Sequence, residues 1–449
     1  MGKLFGTDGI RGEANRHPMD AHMAFAIGQA LTFLLRKKDH TTRIIIGKDT
    51  RISGYMLESA IESGITSMGG VPYLVGVLPT PGIAFIAESM RADAGIVISA
   101  SHNPFQDNGI KIFTGNGSKL TDAQEEEIEQ LILGGKLSTM VPPSAEMGHA
   151  FRINDVMGRY IVFLKNTFAR DLSMEGMKIA MDTANGASYS VAPAVFTELG
   201  ANLSVIHNQP NGLNINDACG SQHTQDLKKT VLETGSSIGL AFDGDADRLI
   251  AIDEKGNEIS GDQIMIICAK MLKDDGLLTN NLLVSTVMSN LGLTLACKKY
   301  GINNHAAKVG DRYVLECMKK MGAIIGGEQS GHMLFLNHHT TGDGIITAIQ
   351  LISAMLKTGK PLSELAAMMH VLPQKLINID VQRKPDITTV PEILDAIKDV
   401  ESGLNGEGRV LIRYSGTQNM CRVMVEGPTK ETTHKYCTHL AEIVKTMLS

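Results

Sequence analysis

Short runs of β-branched residues alternate with longer segments of helical spacing along most of the chain. The strand-like runs include Arg43–Gly47, Ala94–Ile98, Met177–Met181, Ser237–Phe242 and Leu282–Thr286. Runs of this kind, apolar almost throughout, are typical of buried and largely parallel strands covered by helices. A helix is predicted over Asp122–Leu133, which is acidic at its start and is followed by a glycine pair that can end it. The alternation therefore predicts an α/β protein.

The chain is too long for one small core. Its 449 residues correspond to about three domains at roughly 150 residues each. Apolar residues make up 43% and charged residues 20%, a balance that is typical of folded proteins with ample buried cores. Turn-forming residues accumulate at Leu137–Met147, at Asp253–Gly261 and around Pro373. We therefore predict four units, at residues 1–150, 151–255, 256–370 and 371–449.

The composition argues against several kinds of partner. The formal net charge of −6 does not favour general binding to nucleic acid. The most apolar stretch, Ala24–Leu35, is too short to cross a bilayer and is better interpreted as a core helix. The N-terminus lacks the apolar core of a signal peptide, and the six cysteines form no C-x-x-C pair and no cluster with metal-ligand spacing. We expect a cytoplasmic protein with reduced, packed thiols, no nucleic-acid partner and no membrane segment.

Three predicted strands run directly into polar loops. Ile98 leads into Ser99–Pro104, Phe242 leads into Asp243–Arg248, and Ile325 leads into Gly326–His332. Ligands of open α/β sheets bind beyond the carboxyl ends of the strands, so these loops are the expected places for a functional site.

The loop after Phe242 carries three carboxylates, on Asp243, Asp245 and Asp247. At this spacing they repel one another unless a cation lies among them, and hard oxygen donors favour Mg²⁺ or Ca²⁺. The carboxylate spacing also matches an EF-hand loop, but Arg248 stands where that loop requires glycine and the flanks are strand-like, so the EF-hand is rejected. A strand ending in Asp-x-Asp also resembles the aspartyl-nucleophile phosphatases, and that alternative stays open.

Ser101 is a candidate nucleophile because of its neighbours. The Asn103–Pro104 pair stiffens the loop that follows it. Asn108–Gly109 predicts a tight reversal, after which the alternation of the next strand directs Lys111 away from its two flanking isoleucines and toward Ser101. No Gly-x-Ser-x-Gly elbow accompanies Ser101, so acyl transfer is poorly supported. Phosphoryl transfer, which asks mainly for positioning and positive charge, fits these residues better.

Two further loops carry binding chemistry. The first has two guanidinium groups, two hydroxyls and a glycine, and is either a phosphate-binding loop or an ordinary hairpin turn. Its residues are Arg413, Ser415, Gly416, Thr417 and Arg422. The second offers an acceptor, a hydroxyl and an imidazole, which together could bind a polyhydroxylated ligand. The alternative is that its glutamate is a surface residue and its histidine a structural one. Its residues are Glu328, Ser330 and His332.

Taken together, the motifs resemble the α-D-phosphohexomutase superfamily. Five segments occur in the order of that superfamily: Gly6–Gly12, Ser99–Lys111, Asp243–Arg248, Gly327–His332 and Arg413–Arg422. Gln329 is similar to the glucosamine branch rather than to the mannose and glucose branch. The resemblance implies an α/β fold of four domains around a central cleft in a heart-shaped molecule. Three domains would share a mixed α/β core, carrying in turn the phosphoserine, metal-binding and sugar-recognition loops, and a smaller α+β C-terminal domain would bind phosphate.

The resemblance also implies a reaction. Glucosamine 6-phosphate and glucosamine 1-phosphate would interconvert through a phosphoserine enzyme and a 1,6-bisphosphate, which would supply UDP-N-acetylglucosamine for cell-wall synthesis. Mg²⁺ would be the cofactor, with glucosamine 1,6-bisphosphate or glucose 1,6-bisphosphate as activator and a homodimer as the candidate assembly. Three alternatives stay open: a phosphomannomutase or phosphoglucomutase, a Mg²⁺-dependent sugar phosphatase that uses water, and a non-catalytic sugar-phosphate-binding protein.

The same resemblance assigns roles to individual residues. Ser101 would be phosphorylated, and it would hold Mg²⁺ together with Asp243, Asp245 and Asp247. The groups expected to move protons or to stabilise charge are Lys111, Arg11, His102, His332 and Arg248. Glu328 and Ser330 would bind the sugar hydroxyls, and the loop from Arg413 to Arg422 would bind the phosphate that is not transferred. Tyr414, Gln418 and Asn419 stand where members of the superfamily commonly have Pro, Glu and Pro, which predicts a looser loop.

Overall fold

The predicted alternation of strands and helices folds into four sheets. This computed structural model describes residues 4–6, 8–414 and 419–448. The described chain divides into two compact units, one of residues 4–287 and 305–367 and one of residues 288–304 and 368–448.

The first sheet has six strands, and it carries the Ser101 loop. The strands are β1 (Ile10–Glu13), β2 (Arg43–Lys48), β3 (Val71–Val77), β4 (Ala94–Ile98), β5 (Asp107–Thr114) and β6 (Phe151–Arg152), in the order β1-β5-β4-β2-β3-β6. The helices of this region are α1 (Ala21–Leu35), α2 (Ser53–Ser67), α3 (Thr80–Ser89) and α4 (Asp122–Leu133). Strands β2, β3 and β4 are parallel, whereas β5 runs antiparallel to both β1 and β4. The carboxyl ends of β2 and β4 therefore meet at one edge of the sheet.

The second sheet carries the acidic loop. Its strands are β7 (Lys178–Asp182), β8 (Asn202–Ile206), β9 (Ile238–Phe242), β10 (Leu249–Asp253) and β11 (Glu258–Ile259), in the order β11-β10-β9-β7-β8. The helices are α5 (Val156–Lys165), α6 (Val191–Glu198) and α7 (Gln225–Thr234). Strand β7 is parallel to β8 and β9, so the loops that follow these three strands share one edge.

The third sheet has four strands. They are β12 (Leu282–Thr286), β13 (Asn303–Ala307), β14 (Ile325–Gly327) and β15 (Met333–Phe335), in the order β13-β12-β14-β15. Helices α8 (Gly261–Asp274), α10 (Asp311–Met321), α11 (Gly344–Thr358) and α12 (Leu362–Ala366) belong to the first unit, whereas α9 (Leu291–Tyr300) belongs to the second. The turn between β14 and β15 is the loop that contains Glu328, Ser330 and His332.

The fourth sheet belongs to the second unit. Its strands are β16 (Gln374–Asp380), β17 (Arg409–Tyr414) and β18 (Met420–Glu426), and both neighbours of β18 pair with it antiparallel. The helices α13 (Pro391–Leu404) and α14 (Lys430–Leu448) cover the sheet. They form an apolar core with it that includes Val423, Val400 and Leu440.

All six elements predicted with bounds are present, and their ends lie within one residue of the predicted ones. Two of the five predicted strands, β4 and β12, and the helix α4 begin and end at the predicted residues. A capping box in which Thr121 and Gln124 bond each other's backbone amides starts α4. None of the described helices combines the length and the apolar character that a bilayer crossing requires.

The predicted reversal at Asn108–Gly109 is wrong. Both residues lie inside β5, where they pair with Gly12 and Arg11 of β1. Gly109 is needed for close approach rather than for a turn, because a Cβ there would lie 2.5 Å from the carbonyl oxygen of Ser99. An Asn-Gly pair predicts a turn only where nothing else pairs with it, and here β1 and β4 flank the strand.

Candidate active site

Ser101 and the acidic loop lie together. Ser101 follows β4, is 1% exposed and has a left-handed backbone with φ +53°. Its Oγ donates a hydrogen bond of 2.6 Å to Asp243 Oδ2, and His102 Nδ1 lies 3.3 Å from the same Oγ. Gly244 allows this approach, since a Cβ at that position would lie 2.5 Å from the Ser101 carbonyl oxygen. Two motifs that are 142 residues apart in the sequence thus form one site.

Two side chains from other loops hold the backbone around Ser101. Asn216 Nδ2 donates to the carbonyl oxygens of Ser101 and Asn103, at 2.9 Å each. Arg51 Nη2 donates to the same two oxygens, at 3.2 and 2.5 Å. Arg51 is fully buried and forms an ion pair with Asp49. Neither residue was predicted, although Arg51 follows the carboxyl end of β2, where ligands of open α/β sheets are expected.

The three aspartates form a buried, all-oxygen cluster. Asp243, Asp245 and Asp247 each offer a carboxylate oxygen, and these oxygens lie within 4.8 Å of one another. Burial, together with the charges of Asp247 and Asp245, raises the pKa of Asp243 well above its usual range. Asp245 Oδ1 and Asp247 Oδ1 are buried and accept no hydrogen bond from any described residue. Unpaired, crowded carboxylate oxygens are the donors that a hard divalent cation needs, so these residues fit a divalent metal.

Lys111 is the cation nearest to this cluster. Its Nζ lies 2.8 Å from Asp245 Oδ2, 3.2 Å from Asp8 Oδ2 and 3.6 Å from Asp247 Oδ2. Burial works to lower the pKa of Lys111, but these carboxylates outweigh it and raise the pKa above its usual range. The two flanking isoleucines of β5 pack in the apolar core, as the predicted alternation requires.

The two histidines of the site carry different charges at neutral pH. Burial works to lower the pKa of His332, but Asp247 and Asp311, whose carboxylates lie 3.6 and 3.7 Å from its ring nitrogens, outweigh burial and raise the pKa to about 9. Burial, together with Arg248 and Arg11, lowers the pKa of His102 to about 4. His332 is therefore an imidazolium and His102 a neutral imidazole.

Arg11 takes part in a second network of ion pairs, next to the one around Lys111. Its Nη2 lies 2.5 Å from Asp8 Oδ2, and its Nη1 donates to the carbonyl oxygen of Ala100 at 3.3 Å. Lys119 bonds the other oxygen of Asp8 and also Asp311 Oδ2, both at 2.5 Å. A cavity of about 290 Å³ adjoins this network of ion pairs and is lined in part by Lys119 and Asp311. Lys119 was not predicted, because a single lysine in a polar loop carries no distinguishing pattern.

The loop of Glu328, Ser330 and His332 packs on the acidic loop. Arg248 forms an isolated β-bridge with His332, and the backbone amide of Arg248 donates to Asp243 Oδ1 at 3.2 Å. The guanidinium of Arg248 lies 3.8 Å from Asp247 Oδ1. Glu328 Oε1 accepts a hydrogen bond from the amide of Gly310 at 3.0 Å, and Ser330 is half-buried in the same loop.

In the second unit, Arg413 and Arg422 stand directly opposite each other on β17 and β18. Burial and the charge of Arg422 lower the pKa of Arg413. The Nε atoms of both side chains are buried and have no hydrogen-bond partner among the described residues. The predicted phosphate-binding residues Ser415, Gly416 and Thr417 lie outside the described residues, as does Gln418.

Family models match the chain in four segments. They are the phosphoglucomutase/phosphomannomutase α/β/α domains I, II and III, at residues 2–138, 158–256 and 260–372, and the C-terminal domain at residues 376–443. Together these segments cover most of the chain, in the order that the motifs predict.

Similar proteins carry the name of one branch of this family. The phosphoglucosamine mutase of Syntrophobacter fumaroxidans is 75% identical over 445 residues, and that of Syntrophus aciditrophicus is 60% identical over 445 residues, each covering 99% of both chains. Among solved structures, a phosphoglucomutase/phosphomannomutase family protein from Burkholderia thailandensis has a TM-score of 0.80 at 21% identity, covering 98% of this chain and 97% of its own. The N-acetylphosphoglucosamine mutase of Aspergillus fumigatus, solved with GlcNAc-6P and magnesium, has a TM-score of 0.66 at 16% identity, covering 99% and 96%.

The relatives and the fold both indicate the same protein family. The predicted phosphohexomutase resemblance, the mixed α/β architecture and the prediction of a mutase are confirmed by the family models and the relatives. The chain belongs to the phosphoglucomutase/phosphomannomutase family.

Proposed function

We propose that this chain interconverts glucosamine 6-phosphate and glucosamine 1-phosphate, with Ser101 as the phosphoryl carrier and glucosamine 1,6-bisphosphate as the intermediate. The substrate follows from the relatives, which are named phosphoglucosamine mutases and are 75% and 60% identical over 99% of this chain. The chemistry follows chiefly from one observation: the buried Ser101 hydroxyl donates a 2.6 Å hydrogen bond to Asp243, inside a cluster of carboxylates and cations.

Asp243, Asp245 and Asp247 would hold Mg²⁺ together with Ser101. The metal supplies charge neutralisation and polarisation of the transferring phosphoryl group when bound. Three carboxylates and a phosphate dianion carry about five negative charges, of which Mg²⁺ cancels two. Three cations of this chain face the cluster and match the remainder, namely Lys111, Arg248 and protonated His332. Asp8 and Asp311 are paired with Arg11 and Lys119 and leave that balance unchanged.

The phosphoryl group passes from Ser101 to a sugar hydroxyl in the forward step. The bond between phosphorus and Ser101 Oγ breaks, a bond between phosphorus and the sugar oxygen forms, and the hydroxyl proton must leave the sugar while Oγ regains one. His102 is the neutral group within reach of Oγ, at 3.3 Å, and is proposed to carry that proton. Lys111, Arg11 and His332 would supply positive charge that stabilises the transition state instead.

The remaining predicted residues would bind the substrate. Glu328 and Ser330 would bind sugar hydroxyls. Arg413 and Arg422, whose guanidinium Nε atoms have no hydrogen-bond partner among the described residues, would bind the phosphate that is not transferred, together with Ser415, Gly416 and Thr417. The bisphosphate must reorient between its two transfers, so free glucosamine 1,6-bisphosphate or glucose 1,6-bisphosphate would act as activator.

The biological setting belongs to the same proposal. The enzyme would act in the cytoplasm, as a homodimer of four-domain chains, and would supply UDP-N-acetylglucosamine synthesis. The four domains would follow the predicted division at residues 1–150, 151–255, 256–370 and 371–449.

The test is a product analysis with matched variants. The purified chain, activated with glucose 1,6-bisphosphate and Mg²⁺, should convert glucosamine 6-phosphate to the 1-phosphate without releasing inorganic phosphate, as followed by phosphorus NMR. Phosphate release without isomer formation would indicate the sugar phosphatase. Ligand binding without turnover, and without a phosphorylated Ser101 in the intact-mass spectrum, would indicate the binding protein. Higher kcat/KM on glucose or mannose phosphates would move the assignment to the other branch of the family.

A further inference from the structure

A second cluster of ligand-type side chains lies at the carboxyl edge of the second sheet. Asp182 ends β7, His207 follows β8, and Cys219 lies in the loop before α7. One ligand atom of each lies within 4.8 Å of the others. Asp182 and Cys219 are 0% and 1% exposed, whereas the side chain of His207 is 25% exposed. We propose that these three side chains form a binding site for a borderline divalent metal ion, Zn²⁺ or Co²⁺, distinct in its ligands from the three-aspartate cluster.

The donor set decides which metal suits the site. A thiolate, an imidazole and a carboxylate are the usual ligands of Zn²⁺, at about 2.3, 2.0 and 2.1 Å. Mg²⁺, in contrast, takes oxygen donors almost exclusively. Tetrahedral bonds of these lengths separate neighbouring ligand atoms by about 3.3 to 3.6 Å. His207 Nδ1 already lies 3.0 Å from Asp182 Oδ2, and the separations to Cys219 Sγ are within 4.8 Å, so coordination would require changes in these separations of no more than about 1.3 Å.

The outer contacts of the cluster are those of a metal-binding histidine. His207 Nδ1 faces Asp182, while its Nε2 lies 3.4 Å from Asp226 Oδ2. A histidine ligand characteristically directs its second ring nitrogen at a carboxylate, which fixes the ring orientation. Asp182 is oriented too, because its Oδ1 accepts from the amide of Ala184 at 2.8 Å and its Oδ2 accepts from the amide of Gly220 at 2.9 Å.

Coordination needs no redox partner. The Cys219 thiol would release a proton to solvent as sulfur binds the metal, His207 would bind as the neutral imidazole through the Nδ1 lone pair with its ring proton on Nε2, and Asp182 would contribute a lone pair. Three protein ligands leave a fourth position for water, on the side where His207 reaches solvent. The site would fasten the loop that carries Asn216, which lies three residues before Cys219 and bonds the Ser101 carbonyl oxygen.

The experiment is a Co²⁺ titration of the full chain in excess Mg²⁺, followed by absorption. We expect one Co²⁺ per chain with a thiolate-to-cobalt charge-transfer band in the near ultraviolet, a band that the oxygen-only aspartate cluster cannot produce. Cys219→Ser should abolish the band. Cys317→Ser, at a half-buried cysteine of α10, is the matched control and should keep it.

A second variant keeps the test valid if Cys219→Ser fails to fold. His207→Gln keeps a donor for Asp182 but removes the ring ligand. It should weaken Co²⁺ binding by at least about tenfold, since even outer partners of metal ligands commonly contribute 10- to 100-fold to affinity. A wild-type protein without the band, a band that survives in Cys219→Ser, or unchanged affinity in His207→Gln would each overturn the site. These readouts do not depend on phosphosugar turnover, so they stand apart from the proposed activity.

Discussion

Removing the side chain of Asn216 should slow turnover by loosening the loop that presents Ser101. Asn216 Nδ2 donates to the carbonyl oxygens of Ser101 and Asn103, both at 2.9 Å, and touches the loop from outside the proposed chemistry. Ser101 itself sits at φ +53°, a conformation that side-chain-bearing residues adopt only under constraint. Arg51 donates to the same two oxygens, so two of these four hydrogen bonds remain when the side chain of Asn216 is removed.

The magnitude follows from these contacts. Two hydrogen bonds contribute about 0.5 to 1.5 kcal/mol each. Holding a non-glycine residue in the left-handed region costs about 1 to 2 kcal/mol. The free energy that the Asn216 hydrogen bonds contribute is therefore similar in size to the backbone strain that they offset at Ser101. If about 2 kcal/mol of that support is needed to keep Ser101 aligned in the transition state, kcat should fall about 30-fold.

Two substitutions of Asn216 separate the loss of its hydrogen bonds from the cost of its own left-handed backbone. Asn216 has φ +58°, so Asn216→Gly removes the hydrogen bonds without strain, and Asn216→Ala adds roughly 1 kcal/mol of backbone cost. Asn214→Ala is the control, because Asn214 bonds Asn211 and Gln209 in the same loop but not the Ser101 backbone. Kinetics on glucosamine 6-phosphate and thermal unfolding should be measured together. An unchanged kcat in Asn216→Gly, or an equal loss in Asn214→Ala, would refute the reasoning.

Three further outcomes are expected. Ser101→Ala should fold with an unchanged melting temperature but lose turnover. It should also lack the phosphoryl mass gain that the wild type is expected to show after incubation with glucose 1,6-bisphosphate. Activity of this variant at the wild-type level would exclude Ser101 as the carrier. The pKa of His332 is raised from 6.5 to about 9, so its ion pairs with Asp247 and Asp311 should stabilise the Mg²⁺-free protein fully below pH 6.5 and be lost as the pH rises through about 9. Urea unfolding should show this decline in wild type and not in His332→Gln. Arg422→Ala should raise the KM for glucosamine 6-phosphate by about 10- to 100-fold with a smaller change in kcat, since a charge-assisted hydrogen bond contributes about 1.5 to 3 kcal/mol; an unchanged KM would remove Arg422 from the phosphate site.

The parts of the site that carry local patterns could be predicted from the sequence. Three alternating aspartates after an apolar strand indicated a metal. The proximity of Asp243 to Ser101 was implied only by the family resemblance, because the two residues follow strands of different sheets. Lys111 was found by period-two alternation, because its isoleucine neighbours had to enter the core.

The supporting residues escaped prediction because their partners are remote in sequence. Asn216 lies 115 residues from Ser101 and Lys119 lies 192 residues from Asp311, and no local spacing signals such pairs. Cys219 illustrates the same limit. Asp182 and His207 lie 37 and 12 residues before it in the sequence, and two parallel strands bring them to it.

The strain at Ser101 explains why so many polar groups converge on one loop. A glycine at position 101 would remove the backbone cost but also the hydroxyl, so the cost has to be offset by neighbours. Arg51 and Asn216 bond its carbonyl oxygen, and the amide of Ser101 donates to Ser99 Oγ at 2.9 Å. Gly244 completes the arrangement, since any side chain there would push the acidic loop away from Ser101. With the backbone of Ser101 held by three side chains, its buried Oγ lies 2.6 Å from Asp243 Oδ2, and holding a reacting group in place is what phosphoryl transfer chiefly requires.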